Sequence, residues 1–205
     1  SAVLFDQSHH MHEAIVEGPQ AFEFLQSLAV NSFANFDCNR AKQFIAASPE
    51  GFFIGDMIAF REREDQFVLV GREVIANWVE FNVSQTGYNV RVRRDARSPA
   101  RPDGRAITRL HYRFQIQGPE AHRIIERIHG GPIPDIRFFM VDTINIGTKR
   151  VRALRFTDPG FDRGVHETIP RVGDAGSPRI GDERHRTAGH ELGDERRSTR
   201  RLDRV

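Results

Sequence analysis

The sequence predicts an α+β fold made of duplicated strand–Gly-Pro–helix units, with mostly antiparallel sheets and a disordered C-terminal tail. The clearest sign is an internal echo. "EGPQAFEFLQSL" at 17–28 matches "QGPEAHRIIERI" at 117–128, and each follows a strand-like run, "HEAIV" and then "YRFQI". A second sign is periodicity, because short alternating apolar runs are separated by stretches with helical spacing. The third is a break in composition after Arg155, beyond which apolar residues occur singly and no aromatic follows Phe161.

The elements follow in order. "AVLF" is strand-like from the second residue, which reads as a piece of a longer protein. In 17–29, Gly18 ends a strand and Pro19 fits a first helical turn, where a missing N–H costs nothing; Ala21, Phe24, Leu25 and Leu28 then share a helical face. Asn31 is placed to cap the end of that helix. "KQFIAAS" and "GFFIGDMIAFRE" read as strands joined by a turn at Pro49-Glu50-Gly51, and "DQFVLVG" as another. "REVIANWVEFNVSQ" is a helix with Ile75, Trp78, Val79 and Asn82 on one side, so Trp78 belongs to a core. "YNVRVRRD" is a strand with one wet face. Residues 94–107, rich in Pro, Arg and Ala, form an exposed linker.

These features give one ordered domain over 1–155 and a separate tail over 156–205. The tail has two open readings, a natural disordered segment or a frameshifted end, because Arg, Gly, Asp and Pro dominate it without pattern. Its arginines alternate with acids and lack an aromatic platform, so nucleic acid is not an expected partner. A net charge of +2 on 205 residues gives no strong field. No apolar run reaches the roughly 18–20 residues that span a membrane. A lone Cys38 excludes an intrachain disulfide and suits a reducing compartment, so a cytoplasmic location is expected.

The run "QSHHMHE" holds His9, His10 and His12. A metal needs three or four converging ligands. Strand alternation puts His10 and His12 on one side and His9 on the other, which is only a partial site. No second Cys and no His-x-x-x-His completes it, so no metal is expected. The histidines are then structural or move a proton.

The runs "LFDQSHHMHEAIVEGPQAFEFLQSLAVNSF", "GDMIAFRE", "FVLVGR" and "IQGPEA" resemble the folate-binding domain of the glycine-cleavage T-protein (aminomethyltransferase) superfamily. That family typically opens Phe-Asp-x-Ser-His and carries an Asn-Asp pair; here the pair is Asn31-Ser32, and paired aspartates become Gly55-Asp56. "AKQFIA", "NWVEF", "YRFQIQGPEA", "GGPIPDIRFF" and "VRALR" bring the chain nearer to tetrahydrofolate-dependent aryl O-demethylases of the vanillate and syringate type. The likeness covers about 1–155. Beyond it, Asp162 in "PGFD" only partly echoes the family's acidic pterin anchor.

The resemblance implies methyl transfer from a methoxylated aromatic acid, such as vanillate or syringate, to tetrahydrofolate. It places His10 at the mouth of the substrate pocket, where an imidazole can protonate the departing phenolate. It casts Arg72, at a strand end and helix start, as a bidentate clamp for a benzoate carboxylate, against the alternative of a solvated arginine. Gln7 and Asp56 fall on the folate side, since amides and carboxylates match the donor–acceptor edge of a pterin; Asp56 can equally be a strand-end carboxylate. Two alternatives stand beside this. One is aminomethyl transfer in glycine cleavage, with a lipoyl carrier protein as partner. The other is an inactive, truncated folate-binding module.

Overall fold

A computed structural model describes residues 1–95 and 108–156, and the backbone of 165–169. The chain divides into Ser1–Val172 and Gly173–Val205, and every described residue lies in the first unit. Most of the expected linker, Asp162 and nearly all of the expected tail lie outside the described residues.

The elements are β1 (Val3–Asp6), β2 (His12–Glu17), α1 (Ala21–Leu28), β3 (Arg40–Ala47), β4 (Phe53–Arg63), β5 (Gln66–Gly71) and α2 (Glu73–Gln85). They continue with β6 (Arg91–Asp95), β7 (Phe114–Gln117), α3 (Ala121–His129), β8 (Val141–Ile146), β9 (Lys149–Arg155) and β10 (Val165–Ile169). The first sheet runs β3-β4-β5-β2-β6 and the second β1-β7-β10-β9-β8. Every strand-to-strand pairing in them is antiparallel. The α+β class and antiparallel sheets expected from the sequence are therefore present.

Strand alternation sorts the side chains into three cores. On one face of the first sheet, Ala14, Val16, Phe44, Met57, Phe67 and Leu69 pack against Phe24 and Leu25 of α1 and Ile75 and Val79 of α2. Each large apolar side chain buried there contributes roughly 1.5–3 kcal/mol of transfer free energy. On the opposite face, Ile15, Phe60, Val68 and Val70 meet Val141 and Leu154 of the second sheet. The far face of the second sheet carries Ile144, Val151 and Ala153 against Ile125 of α3. The result is four layers, helix–sheet–sheet–helix. Trp78 packs at the edge of the first core and stacks on Phe81, 6.0 Å between ring centres, as its helical face predicts.

The Gly-Pro echo is a structural repeat. Gly18 and Gly118 have φ of +146° and +122°, conformations closed to ordinary L-residues. In both, the Gly carbonyl accepts a 3.0 Å bond from the N–H of the fully buried alanine that opens the helix, Ala21 or Ala121. Both are also pressed by the backbone just ahead of another strand, β6 for Gly18 and β1 for Gly118. A Cβ on Gly18 would collide with the Asn89 carbonyl oxygen, and one on Gly118 would lie 2.6 Å from that of Ser1. Gly18→Ala should therefore cost at least the roughly 1–3 kcal/mol of a disallowed backbone conformation. Urea unfolding monitored by circular dichroism measures this; a loss under about 0.5 kcal/mol, the size of an ordinary surface substitution, would contradict it.

Three expectations change. Asn31 does not cap α1, whose C-cap is Ala29. Its side chain instead accepts from Ile45 N–H (3.1 Å) and donates to the Gln43 carbonyl (2.7 Å), closing the edge of β3. Strands β8 and β9 add to the elements that periodicity predicts. Finally, Val165–Ile169 forms β10, inside the segment whose composition suggested no order, with β7 on one side and β9 on the other. Five extended residues need few apolar side chains when both neighbours offer backbone partners.

Candidate functional site

The segment between β1 and β2 is a tight turn. Gln7 carbonyl accepts from His10 N–H at 3.1 Å, and Asp6 Oδ1 accepts from Ser8 N–H at 2.9 Å. Those Ser8 bonds, side chain and backbone, hold the Asp6 carboxyl below its ordinary range. The turn is stapled to the second sheet. Gln7 N–H donates to the Arg113 carbonyl (2.9 Å), and Arg113 N–H donates to the buried Ser8 hydroxyl (3.0 Å). His9 and His10 thus lie in a turn and only His12 in a strand, so the strand alternation expected for the three does not apply.

His10 is exposed and lines a cavity of about 550 Å³ with Met11, His12, Gly71, Arg72, Glu73 and Val74. The structure therefore brings His10 and Arg72 together from positions 62 apart, counted as 72 minus 10. Arg72 follows directly on β5 and is the N-cap of α2, with extended φ −83° and ψ 152°. It is exposed and makes no ion pair among the described residues, so its guanidinium faces the cavity uncommitted. The free N–H groups of α2's first turn add favourable potential for an anion there. His12 is 2 % exposed, with Nε2 3.5 Å from the Glu73 carboxylate, and so belongs to the wall.

Gln7 lines a different cavity, about 180 Å³, with Met11, Ile58, Phe60, Val70, Gln115 and Phe156. Its amide hydrogen-bonds the Gln115 amide. Two amides beside apolar and aromatic walls suit a flat heterocycle with a polar edge. Met11 contributes to both cavities. Asp56 lies in neither. It is exposed on β4, accepting a 2.9 Å bond from the Gln43 amide, on the same face as Ile58 and Phe60 but nearer the strand's start.

Beneath the turn lies a buried charged network that the sequence reading did not single out. Glu13, 0 % exposed, accepts from Arg113 Nη2 at 2.5 Å and sits 2.7 Å from His111 Nδ1. Arg109, also buried, pairs with Asp95 at 2.9 Å and donates to the Met11 carbonyl at 3.0 Å. Burial pushes the Glu13 carboxyl up, but the His111 hydrogen bond, the Arg113 and His111 charges and the Arg113 bond together hold it below its ordinary value. The alternation in "RLHYR", which puts Arg109, His111 and Arg113 on one side, was the available signal. These pairs fix the backbone that carries Gln7, His10 and Met11.

Among the described residues no three His, Cys, Asp or Glu side chains form a metal-sized group, and no helix is long and apolar enough to cross a membrane.

The GCVT N-terminal domain family matches residues 1–160. A syringate O-demethylase of Sphingobium sp. is 46% identical over 165 residues, which is 79% of this chain and 35% of that protein. An aminomethyltransferase of Halalkalibacterium halodurans is 28% identical over 169 residues, 78% of this chain and 41% of that protein. Among solved structures, a glycine cleavage system aminomethyltransferase T from Bartonella henselae superposes with a TM-score of 0.59 at 22% identity, covering 85% of this chain and 43% of that one. The chain thus spans between a third and a half of the length of these relatives.

Proposed function

The chain belongs to the GCVT N-terminal domain family, and from that premise we propose that it takes part in tetrahydrofolate-dependent O-demethylation of a methoxylated aromatic acid such as vanillate or syringate. The observation that carries the proposal is the convergence of His10 and Arg72 on one cavity, beside the amide-edged cavity of Gln7 and Gln115. The apolar walls and paired amides of the smaller cavity fit a pterin. Bound there, tetrahydrofolate supplies a nitrogen, N5, that accepts the methyl group.

The roles of the residues follow from their chemistry. Arg72 anchors the carboxylate of the aromatic acid, fixing the ring so that its methoxyl points toward the neighbouring cavity. As the aryl C–O bond breaks, its electron pair stays on oxygen, and His10 hydrogen-bonds or protonates the phenolate. Met11, standing between the cavities, keeps water from the path with its apolar side chain. Asp56 would contact folate only at the outer end of the β4 row. The cytoplasm, where tetrahydrofolate is kept, is the matching location.

The alternative, aminomethyl transfer with a lipoyl carrier, has the aminomethyltransferase relatives in its favour. Against it stand Asn31, whose side chain is committed to β3, and the Gly55-Asp56 pair.

Arg72 gives the test of substrate class. Titrating the protein with vanillate and with guaiacol, which lacks the carboxylate, separates the carboxylate contribution. Arg72→Ala should weaken vanillate about tenfold, the lower end for a lost charge-assisted bond because Arg72 is exposed, and leave guaiacol nearly unchanged. Arg72→Lys should recover only part of the loss, since an ammonium lacks the planar fork. Equal losses for both ligands would remove Arg72 from substrate recognition.

A further inference from the structure

The His10–Arg72 cavity also holds a carboxylate to which the proposed reaction gives no role. Glu73 lines it, next in sequence to Arg72 and at the first position of α2. The backbone is extended at Arg72 and helical from Glu73 onward, so the two side chains leave it in different directions. The Glu73 carboxylate turns toward β2 and stands 3.5 Å from His12 Nε2. Strand pairing sets His12 opposite Gly71, which fixes this arrangement in the sheet. The cavity therefore carries a guanidinium and, beside its two imidazoles, a carboxylate.

That combination selects among anions. A carboxylate near the seat of a benzoate weakens a ligand that offers only negative charge, because like charges are brought together. It strengthens one that also offers a hydroxyl, since an O–H bond to an ionised acceptor is roughly twice as strong as a neutral one. Glu73 has the capacity. A carboxylate provides about four acceptor sites, its approach to His12 is longer than a hydrogen bond, and its side chain is 51 % exposed. Vanillate and syringate carry such a hydroxyl beside the methoxyl and across the ring from the carboxylate. Hydroxyl and methoxyl oxygens are ring neighbours, so the group that meets one stands close to the group that meets the other. Glu73 satisfies this, because it reaches His12, two positions from His10.

We propose that Glu73 determines specificity for a free phenolic hydroxyl: it accepts a hydrogen bond from the hydroxyl next to the reacting methoxyl, and so selects hydroxylated methoxybenzoates over those that lack this group. The inference rests on the methyl-transfer reading of the cavity. Arg72 fixes the acid end of the ring and Glu73 the hydroxyl, and two anchors leave the methoxyl a single orientation.

The test is calorimetric titration of the whole 205-residue chain, at constant pH, with vanillate and with 3-methoxybenzoate, which has the carboxylate and the methoxyl but no hydroxyl. Wild type should bind vanillate about tenfold more tightly, the lower end for a charge-assisted bond because Glu73 is exposed. Glu73→Ala should weaken vanillate by about the same factor and leave 3-methoxybenzoate unchanged or tighter, so that the preference collapses. Glu73→Gln keeps a neutral acceptor of the same shape, and its vanillate affinity should fall between the two. A change that merely loosened the fold would weaken both ligands alike. Equal losses for both ligands, or a preference that survives Glu73→Ala, overturn the proposal and leave the methyl-transfer reading standing. A wild-type chain that binds neither ligand contradicts that reading, and the proposal falls with it.

Discussion

Glu13→Gln should lower the stability of the chain by about 3–5 kcal/mol, a large share of the about 5–15 kcal/mol that is the whole margin of a typical domain. Glu13 is fully buried and faces Arg113, itself 1 % exposed. Removing the carboxylate takes a close counter-charge from a guanidinium that water does not reach, and that, more than the lost pair, sets the cost. Arg113→Met together with Glu13→Gln should therefore be milder than the two single losses summed, because both members of the buried pair go together. The same pair predicts acid sensitivity. Glu13 is depressed in the folded chain, so the unfolded chain takes up its proton first as pH falls. The contribution is complete above the ordinary carboxylate value of 4.5 and is lost as pH falls from there through the lower folded value. Urea unfolding between pH 7 and 3 measures both effects. A Glu13→Gln chain that matches wild type at pH 7 would show that the network does not hold the turn.

His10→Ala should reduce turnover of the intact protein by about 10²–10⁴-fold, the usual worth of general acid–base help, and change folate affinity far less. His10 lines the Arg72 cavity, while the amide-edged cavity of Gln7 is a separate space, so the two losses should separate. The size should depend on the leaving group. An aryl methyl ether bearing an electron-withdrawing substituent yields a more stable phenolate and needs less help, so the variant's deficit should shrink for it. A uniform deficit across leaving groups, or one below about threefold, would make His10 a wall of the pocket and not its acid.

How much of this could be read from residues alone depends on the range of the interaction. The Gly18 and Gly118 turns were legible because each demands glycine locally, and α2 because Ile75 and Val79 keep one face. Strands β8 and β9 were not, since their short apolar sets, Val141, Ile144, Val151 and Leu154, divide between two opposite cores. The Glu13–Arg113 pair joins positions one hundred apart, and nothing in either neighbourhood announces the other. Strand β10 was hidden for the same reason, because its order comes from β7 and β9 and not from its own composition. His10 and Arg72 were named through family resemblance. Their meeting on one cavity depends on β5 ending level with the start of β2, where Gly71 pairs with His12.

The most direct measurement is a single-turnover incubation of the intact protein with tetrahydrofolate and methyl-labelled syringate or vanillate. The account predicts that label leaves the aromatic acid and appears one-for-one in 5-methyltetrahydrofolate, with the free phenol as the other product. Label retained on every methoxybenzoate tried, while aminomethyl groups are passed from a lipoyl carrier, would contradict it.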